Sequence, residues 1–187
     1  MTSDQAALAV VEALEALGIP YMLVGSFSSN YYGIGRSTKD ADFVAEIGAQ
    51  SIVQVAERLG PQFRLDPQPS FEMVTMTLRY MIYVVDVPFK IELFRLSDDA
   101  HDQERFRRRR RVKLLADREV SIPTAEDVIV TKVRWASLAR RSKDSDDARA
   151  VIAVQGDRID WDYVNAWCDR LGCRTALDEI RQSIPPM

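Results

Sequence analysis

The spacing of apolar and polar positions changes once along the chain, near residue 122. Before that point, short apolar runs alternate with stripes of apolar residues three and four apart, and after it only the helical spacing remains. The pattern predicts a mixed α/β part over residues 1–122 and an all-helical part over residues 123–187.

The first part opens with an amphipathic helix, for which Thr2 and Gln5 have the spacing of a capping box and Gly18 supplies the stop. The predicted helices of this part are 2–17, 26–32 and 50–59. Runs rich in Val, Ile, Tyr and Phe predict strands, and the two longest are joined in a hairpin around Val87–Pro88. The predicted strands are 21–25, 41–47, 78–86 and 89–96, with a short strand or edge segment at 119–123.

The second part is predicted to be a succession of helices. Thr124 and Asp127 have the spacing of an N-cap pair at the start of the first. Further helices are predicted in "SKDSDDARAVIAV", "DWDYVNAWCDRLG" and "RTALDEIRQSI", the last of which ends at Pro185–Pro186.

A highly charged segment, "SDDAHDQERFRRRRRVKL", lies between the hairpin and the 119–123 segment. Its composition favours a solvated connector. Arg105 and Arg107–Arg111 also suit RNA or another polyanion, since guanidinium groups match phosphate geometry. Both interpretations stay open at this point.

The overall composition excludes several classes of protein. With 47% hydrophobic and 28% charged residues, the 187-residue chain has the make-up of a globular protein with a substantial core. A net charge of −3 gives no general attraction to nucleic acid or membranes. No apolar run reaches membrane-spanning length and the N-terminus lacks a signal-peptide pattern, so we expect a cytoplasmic protein. Cys168 and Cys173 have the spacing of neither a redox pair nor a zinc site and are expected to be buried thiols.

Three carboxylates attract attention as candidate ligands. Asp40 and Asp42 stand at the start of the second predicted strand, where residues two apart face the same way. In "KIELF", Glu92 lies between apolar residues, and a buried carboxylate requires a metal ion or a cationic partner. Carboxylate oxygens suit hard divalent cations such as Mg²⁺. The alternative is that the aspartates are solvated turn residues and Glu92 is the outward residue of a half-exposed strand.

Gly25 and Ser26 end one predicted strand and open a helix. Backbone N–H groups at a helix N-terminus favour phosphate, glycine permits its close approach, and the serine hydroxyl adds a donor. The alternative is an ordinary turn with Ser26 as the N-cap. The turn and the aspartate pair together are a more specific signal of a site for phosphate and a cation than either feature alone.

The stretch "VGSFSSNYYGIGRSTKDADFV" resembles the signature of the polymerase-beta-type nucleotidyltransferase superfamily. In that signature a strand, a Gly-Ser turn, a short helix and an Asp-x-Asp strand are followed by a third acidic strand. "KIELF" and "AEDVIVTKVRWASLARRSKDSDDA" are similar to segments of one bacterial branch, the minimal nucleotidyltransferases and abortive-infection-type toxin enzymes. The resemblance covers Met22 to Ala148. It implies a nucleotidyltransferase α/β core with a mixed, largely antiparallel sheet flanked by helices, followed by a helical C-terminal part.

The resemblance implies that Asp40, Asp42 and Glu92 are the catalytic and metal-binding carboxylates, with Mg²⁺ as the cofactor. Glu92 would assist the attacking hydroxyl as a metal ligand or a base. The branch usually carries Asp at this position, so Asp86 near the hairpin bend stays an alternative third carboxylate.

The resemblance also implies nucleotide-binding residues. Gly25 and Ser26 would hold the triphosphate, and Lys132 would reach the phosphates from the helical part. Arg36, close to the aspartates, is a further candidate for phosphate contact. The trailing Lys-Asp-x-x-Asp group either positions its helix or takes part in catalysis.

The activity implied is Mg²⁺-dependent transfer of a nucleoside monophosphate from a nucleoside triphosphate (NTP) to an acceptor hydroxyl, with release of pyrophosphate. The acceptor is RNA, a protein side chain or a small molecule such as an antibiotic. Two alternatives remain: a catalytically silent binding protein of the same fold, and the toxin component of a toxin–antitoxin pair that acts on RNA and binds a cognate antitoxin protein.

Overall fold

A computed structural model describes residues 1–139 and 142–184. Arg140 and Arg141, inside the quoted helical segment, and the predicted stop at Pro185–Pro186 lie outside the described residues. The chain forms two compact units. The first comprises Met1–Phe27 and Ser37–Ile122, and the second comprises Ser28–Arg36 and the described residues from Pro123 onward.

The first unit contains all eight strands of the described residues, together with the N-terminal helices. Its helices are α1 (Ser3–Ala16), the first turn of α2 (Gly25–Tyr32), α3 (Ala49–Leu59) and α4 (Ala100–Arg107). Its strands are β1 (Tyr21–Val24), β2 (Asp40–Ala45), β3 (Phe63–Leu65), β4 (Ser70–Glu72), β5 (Thr77–Val84), β6 (Lys90–Arg95), β7 (Arg110–Leu115) and β8 (Arg118–Ile122). The capping box predicted at Thr2 and Gln5 is present at the start of α1.

Six strands form one mixed sheet in the order β1-β2-β6-β5-β3, with β4 paired to β5. The β2–β6 pair is parallel and every other pair in this sheet is antiparallel. Strands β7 and β8 form a separate hairpin. The predicted mixed, largely antiparallel sheet is therefore confirmed, as is the β5–β6 hairpin.

The two faces of the large sheet differ in what they carry. Phe43, Ile91 and Leu93 point to one face and are fully buried. The opposite face carries a smaller apolar cluster formed by Met22, Val24, Val44 and Phe106, against which Phe94 and Leu96 pack. Because Val24 pairs with Asp42 in register, this second face also carries the acidic residues of the motif.

The prediction of a solvated connector over residues 97–114 is wrong, because the segment folds into α4 and most of β7. Asp99 caps α4, and Phe106 joins the apolar cluster. Asp102 and Arg105 are only 2% and 8% exposed, and they form an ion pair. Arg105 is therefore no part of a basic surface, which removes it from the predicted RNA contact.

The second unit is built from helices. They are the end of α2, α5 (Ala125–Ala139), α6 (Ser142–Gln155), α7 (Trp161–Arg170) and α8 (Arg174–Gln182). Their shared core contains fully buried Ile129, Val151 and Leu177 together with Cys168 and Cys173. The cysteines are free thiols, as predicted. Among the described helices, none combines the length and apolar composition that a membrane span requires.

Candidate active site

The parallel pairing of β2 and β6 brings the acidic residues of the two strands together. Asp40 lies opposite Lys90, and Asp42 lies opposite Glu92. Residues in register on neighbouring strands project to the same face, so Asp42 and Glu92 are adjacent there. Asp86 lies in the exposed turn between β5 and β6 with φ of 63°. Glu92, and not Asp86, is therefore the carboxylate placed next to Asp42.

Gly25 lies directly against the carboxylate of Asp42. It begins α2 with φ of 60°, a conformation that favours glycine. A Cβ at this position would lie 2.0 Å from Oδ2 of Asp42. Ser26, the next residue of the helix, is buried. The Gly-Ser turn and the Asp-x-Asp strand thus meet at one place. They can approach so closely only because residue 25 has no side chain.

The carboxylates differ in their surroundings. Asp40 is half-buried, and its Oδ1 accepts a hydrogen bond of 2.8 Å from the hydroxyl of Thr38. Glu92 is 6% exposed, and its two oxygens accept from two different cations. Lys90 Nζ donates to Oε1 at 2.5 Å and Arg79 Nη1 donates to Oε2 at 3.0 Å.

The two cations are themselves held by the sheet. Partial burial lowers the pKa of Lys90, but the hydrogen bond and charge of Glu92 and the charge of Asp40 raise it above its usual value. Arg79 also donates to the Ser70 hydroxyl at 2.9 Å. Lys90 is therefore a firmly protonated ammonium beside the acidic pair, and sequence reasoning missed both cations. The alternation of Lys90 and Glu92 in "KIELF" was a usable signal, because residues two apart share a face.

The carboxylates fit a divalent cation only in part. Asp40 and Asp42 offer the hard oxygen donors that Mg²⁺ takes. Both oxygens of Glu92 already accept from cations. Within residues 1–139 and 142–184, no group of three or more His, Cys, Asp and Glu side chains is arranged to hold one metal ion. The predicted three-carboxylate magnesium site stays a prediction.

Lys132 and Arg36, the two cations predicted to bind nucleotide, belong to a charged network in the second unit. Lys132 is 7% exposed, and its ammonium lies 2.9 Å from Asp144 and 2.8 Å from Asp147. Arg36 donates to both oxygens of Asp147 at 2.7 and 2.9 Å. Burial raises the pKa of Asp147, but Arg36 and Lys132 bring it below its usual value.

The partners of Lys132 were not foreseen, although Asp144 and Asp147 are three apart and so share a face of α6. They are the counter-charges of Lys132 and Arg36, and a part for either aspartate in catalysis stays a prediction. Contact of either cation with a nucleotide stays a prediction.

Alternate residues of the remaining arginine run line an open cleft of about 640 Å³ in the first unit. Arg107, Arg109 and Arg111 contribute to it together with Tyr21 and Glu15. Arg111 pairs with Glu15 at 2.9 Å, so part of its charge is balanced internally. RNA contact by these arginines stays a prediction.

Neither a family model nor a curated protein matches the chain in sequence. Its fold, however, is shared with solved structures. The crystal structure of ANT(2″)-Ia in complex with adenylyl-2″-tobramycin aligns with a TM-score of 0.63 at 14% identity, over 91% of this chain and 99% of that one. The chain has the nucleotidyltransferase fold.

Two further structures support this assignment. An antigenic nucleotidyltransferase-like protein from Paracoccidioides brasiliensis aligns with a TM-score of 0.55 at 12% identity, over 99% of this chain and 94% of that one. The lincomycin-bound lincosamide antibiotic adenylyltransferase LnuA aligns with a TM-score of 0.53 at 15% identity, over 80% of this chain and 96% of that one. At these identities the likeness is one of fold, and the toxin branch stays a prediction.

Proposed function

We propose that this protein transfers a nucleoside monophosphate from an NTP to an acceptor hydroxyl and releases pyrophosphate. One observation supports it above the others: Asp42 lies between a helix-opening glycine and a buried glutamate on the neighbouring strand. The glycine side of this arrangement suits phosphate, and the carboxylate side suits a cation that neutralises phosphate charge. The nucleotidyltransferase fold of the chain agrees with that chemistry.

In this proposal the Gly-Ser turn binds the triphosphate. Gly25 lets a phosphate oxygen approach the backbone, and the N–H groups at the start of α2 donate to it. The hydroxyl of Ser26 is a further donor. These donors orient the NTP so that its α-phosphorus is open to attack from the side opposite the leaving pyrophosphate.

Asp40 and Asp42 are proposed to hold Mg²⁺. When bound, the cation neutralises charge on the triphosphate and on the developing pyrophosphate. The protein contributes the placement of the two carboxylates, which face the same side of β2, and the bond from Thr38 fixes the first of them.

Glu92 is proposed to receive the proton of the attacking hydroxyl. An ionised carboxylate has about four lone-pair sites, and Lys90 and Arg79 use one site on each oxygen. Each oxygen thus keeps a further lone-pair site with which it can accept from a hydroxyl. As the acceptor oxygen bonds to the α-phosphorus, its proton passes to Glu92 and the bond to pyrophosphate breaks.

The acceptor is proposed to be a hydroxyl of a small molecule, with RNA and protein as the alternatives to be tested. The antibiotic-resistance factor ANT(2″)-Ia, solved with adenylyl-2″-tobramycin, and the lincosamide antibiotic adenylyltransferase LnuA share the fold. Tobramycin and lincomycin are therefore the first acceptors to offer, followed by total RNA and total protein.

The test is transfer of label from α-labelled NTPs in the presence of Mg²⁺ and these acceptors. Wild-type protein should label one acceptor class, and Asp42→Asn should reduce the rate by about 100-fold or more. Asp86→Asn, which changes an exposed turn carboxylate, is the matched control and should leave the rate unchanged. Absence of transfer to every acceptor, or equal rates for wild type and Asp42→Asn, would contradict the proposal.

A further inference from the structure

We infer that Lys90 and Arg79 keep Glu92 out of the metal-ligand set, so that the site takes a divalent cation on Asp40 and Asp42 alone. This inference rests on the proposed function, which places a cation at the two aspartates. It assigns a positioning role to two basic residues that are not among the residues predicted from the sequence.

The contacts of Glu92 carry the inference. Each of its oxygens accepts from a separate cation, at 2.5 Å from Lys90 and 3.0 Å from Arg79. The glutamate is 6% exposed, whereas the side chains of Lys90 and Arg79 are 39% and 35% exposed. The buried charge is thus neutralised from the solvent side by two groups of the chain itself. A buried carboxylate needs such a partner, and here no metal is required to provide it.

Both cations are fixed in place by the sheet. Lys90 precedes Glu92 by two residues on β6 and so points to the same face. Arg79 comes from β5, where it donates to the Ser70 hydroxyl and lies over the ring of Phe94. If either side chain moved away from Glu92, it would lose contacts that follow from the pairing of β5 and β6.

The charges of the site lead to the same conclusion. Asp40, Asp42 and Glu92 carry three negative charges, and Lys90 and Arg79 carry two positive ones. The pair therefore supplies the two positive charges that a second divalent ion would bring to a two-metal site. A dication ligated by Glu92 would sit beside an ammonium that hydrogen-bonds to the same carboxylate, and their repulsion opposes binding there.

The test is a Mn²⁺ titration of the purified chain without NTP, followed by electron paramagnetic resonance. The decisive variant is the charge-balanced double substitution Lys90→Met with Glu92→Gln, which removes the pair together. We expect one Mn²⁺ per chain in wild type and in the double variant, with affinities within about threefold. A loss of about tenfold or more in the double variant would overturn the inference, because a ligand would then have been removed.

A variant without either cation, Lys90→Met with Arg79→Met, gives a second, independent result. It releases both oxygens of Glu92, and we expect the number of bound Mn²⁺ ions to rise from one to two. An unchanged number would contradict the inference, because the two cations would then not be what keeps Glu92 from binding a metal ion. The control is Glu15→Gln with Arg111→Met, which removes another charge-balanced pair of the first unit and should leave Mn²⁺ binding unchanged.

Failure of this inference is distinguishable from failure of the proposed function. Asp42→Asn should weaken Mn²⁺ binding by about tenfold or more whichever role Glu92 has. If it does not, or if wild type binds no Mn²⁺, the proposed cation site fails and the inference fails with it. If Asp42→Asn weakens binding and the double variant does so equally, only the inference about Lys90 and Arg79 is wrong.

Discussion

Replacing Gly25 with alanine tests the contact on which the candidate site is built. Gly25 has φ of 60°, and an added Cβ would lie 2.0 Å from Oδ2 of Asp42. The substitution therefore has two separable consequences. It forces alanine into a left-handed conformation, and it pushes the carboxylate of Asp42 away from its position.

The magnitudes of the two effects differ, and so do the properties that they change. The left-handed conformation costs alanine about 1–2 kcal/mol of folding free energy. The carboxylate must retreat from 2.0 Å to about the 3.4 Å at which ordinary contact begins, a displacement of about 1.4 Å. Rotation of the Asp42 side chain moves its oxygen away, but the added Cβ would also lie 3.0 Å from the Cβ of Asp42, which rotation does not move. The backbone must therefore shift by a few tenths of an ångström as well, at a further cost in stability. A displacement of about 1 Å in a catalytic group, however, reduces rates by about 100-fold.

Gly18→Ala is the matched control for Gly25→Ala. Gly18 has a similar φ of 65°, but an added Cβ meets no atom within 4 Å. Denaturant unfolding should show a loss of stability for both variants, and the loss should be larger for Gly25→Ala because only its added Cβ meets other atoms. Label transfer should fall by about 100-fold for Gly25→Ala and stay within about threefold of wild type for Gly18→Ala. Equal transfer rates for the two variants would refute the role given to Gly25 and Asp42.

Two further predictions concern buried ion pairs, one in each unit. Lys132→Met should lower the free energy of unfolding by about 3–5 kcal/mol, because it removes a buried counter-charge of Asp144 and Asp147. Urea unfolding measures this loss, and a loss below about 1 kcal/mol would contradict the prediction. Burial raises the pKa of Asp102, but Arg105 and hydrogen bonds from Ser97 bring it below its usual value. A lowered folded-state pKa stabilises the protein above the unfolded value of about 3.9, and this stabilisation disappears as the pH falls through the folded value. The stability deficit of Asp102→Asn should therefore be full at neutral pH and shrink below about pH 4, and a deficit that does not change with pH would contradict the assignment.

Much of the fold was predictable because local signals and tertiary structure agree. The capping box of Thr2 and Gln5 starts α1, and the apolar run before Gly25 forms β1. The bend at Val87–Pro88 separates two strands that pair as a hairpin. In each case the residues that define the element lie within it, so that periodicity and turn chemistry are sufficient.

The elements that were missed depend on contacts distant in sequence or on few residues. Helix α4 has a polar sequence, and its stability comes from the Asp102–Arg105 pair and from Phe106 in a cluster with residues of β1 and β2. Strands β3 and β4 have three residues each, too few for an alternating pattern to stand out. From sequence alone, a run of charged residues is interpreted as solvent-exposed, because the buried partners of its side chains are not known.

The candidate site shows the same limit. The motif predicted Asp40, Asp42 and a third carboxylate, but only the parallel register of β2 and β6 shows that Glu92 lies opposite Asp42. Arg79 comes from a third strand, so its contact with Glu92 depends on the order of strands in the sheet. Sequence spacing carries no information about that order.

The central claim is that this chain transfers a nucleoside monophosphate, and paired α- and γ-labelled NTPs test it most directly. Offered to the wild-type protein with Mg²⁺ and the accepting substrate, the α label should remain on the acceptor and the γ label should leave as pyrophosphate, in equal amounts. Asp42→Asn should abolish both signals together. Appearance of the γ label on the acceptor, or release of both labels without any modified acceptor, would contradict the account.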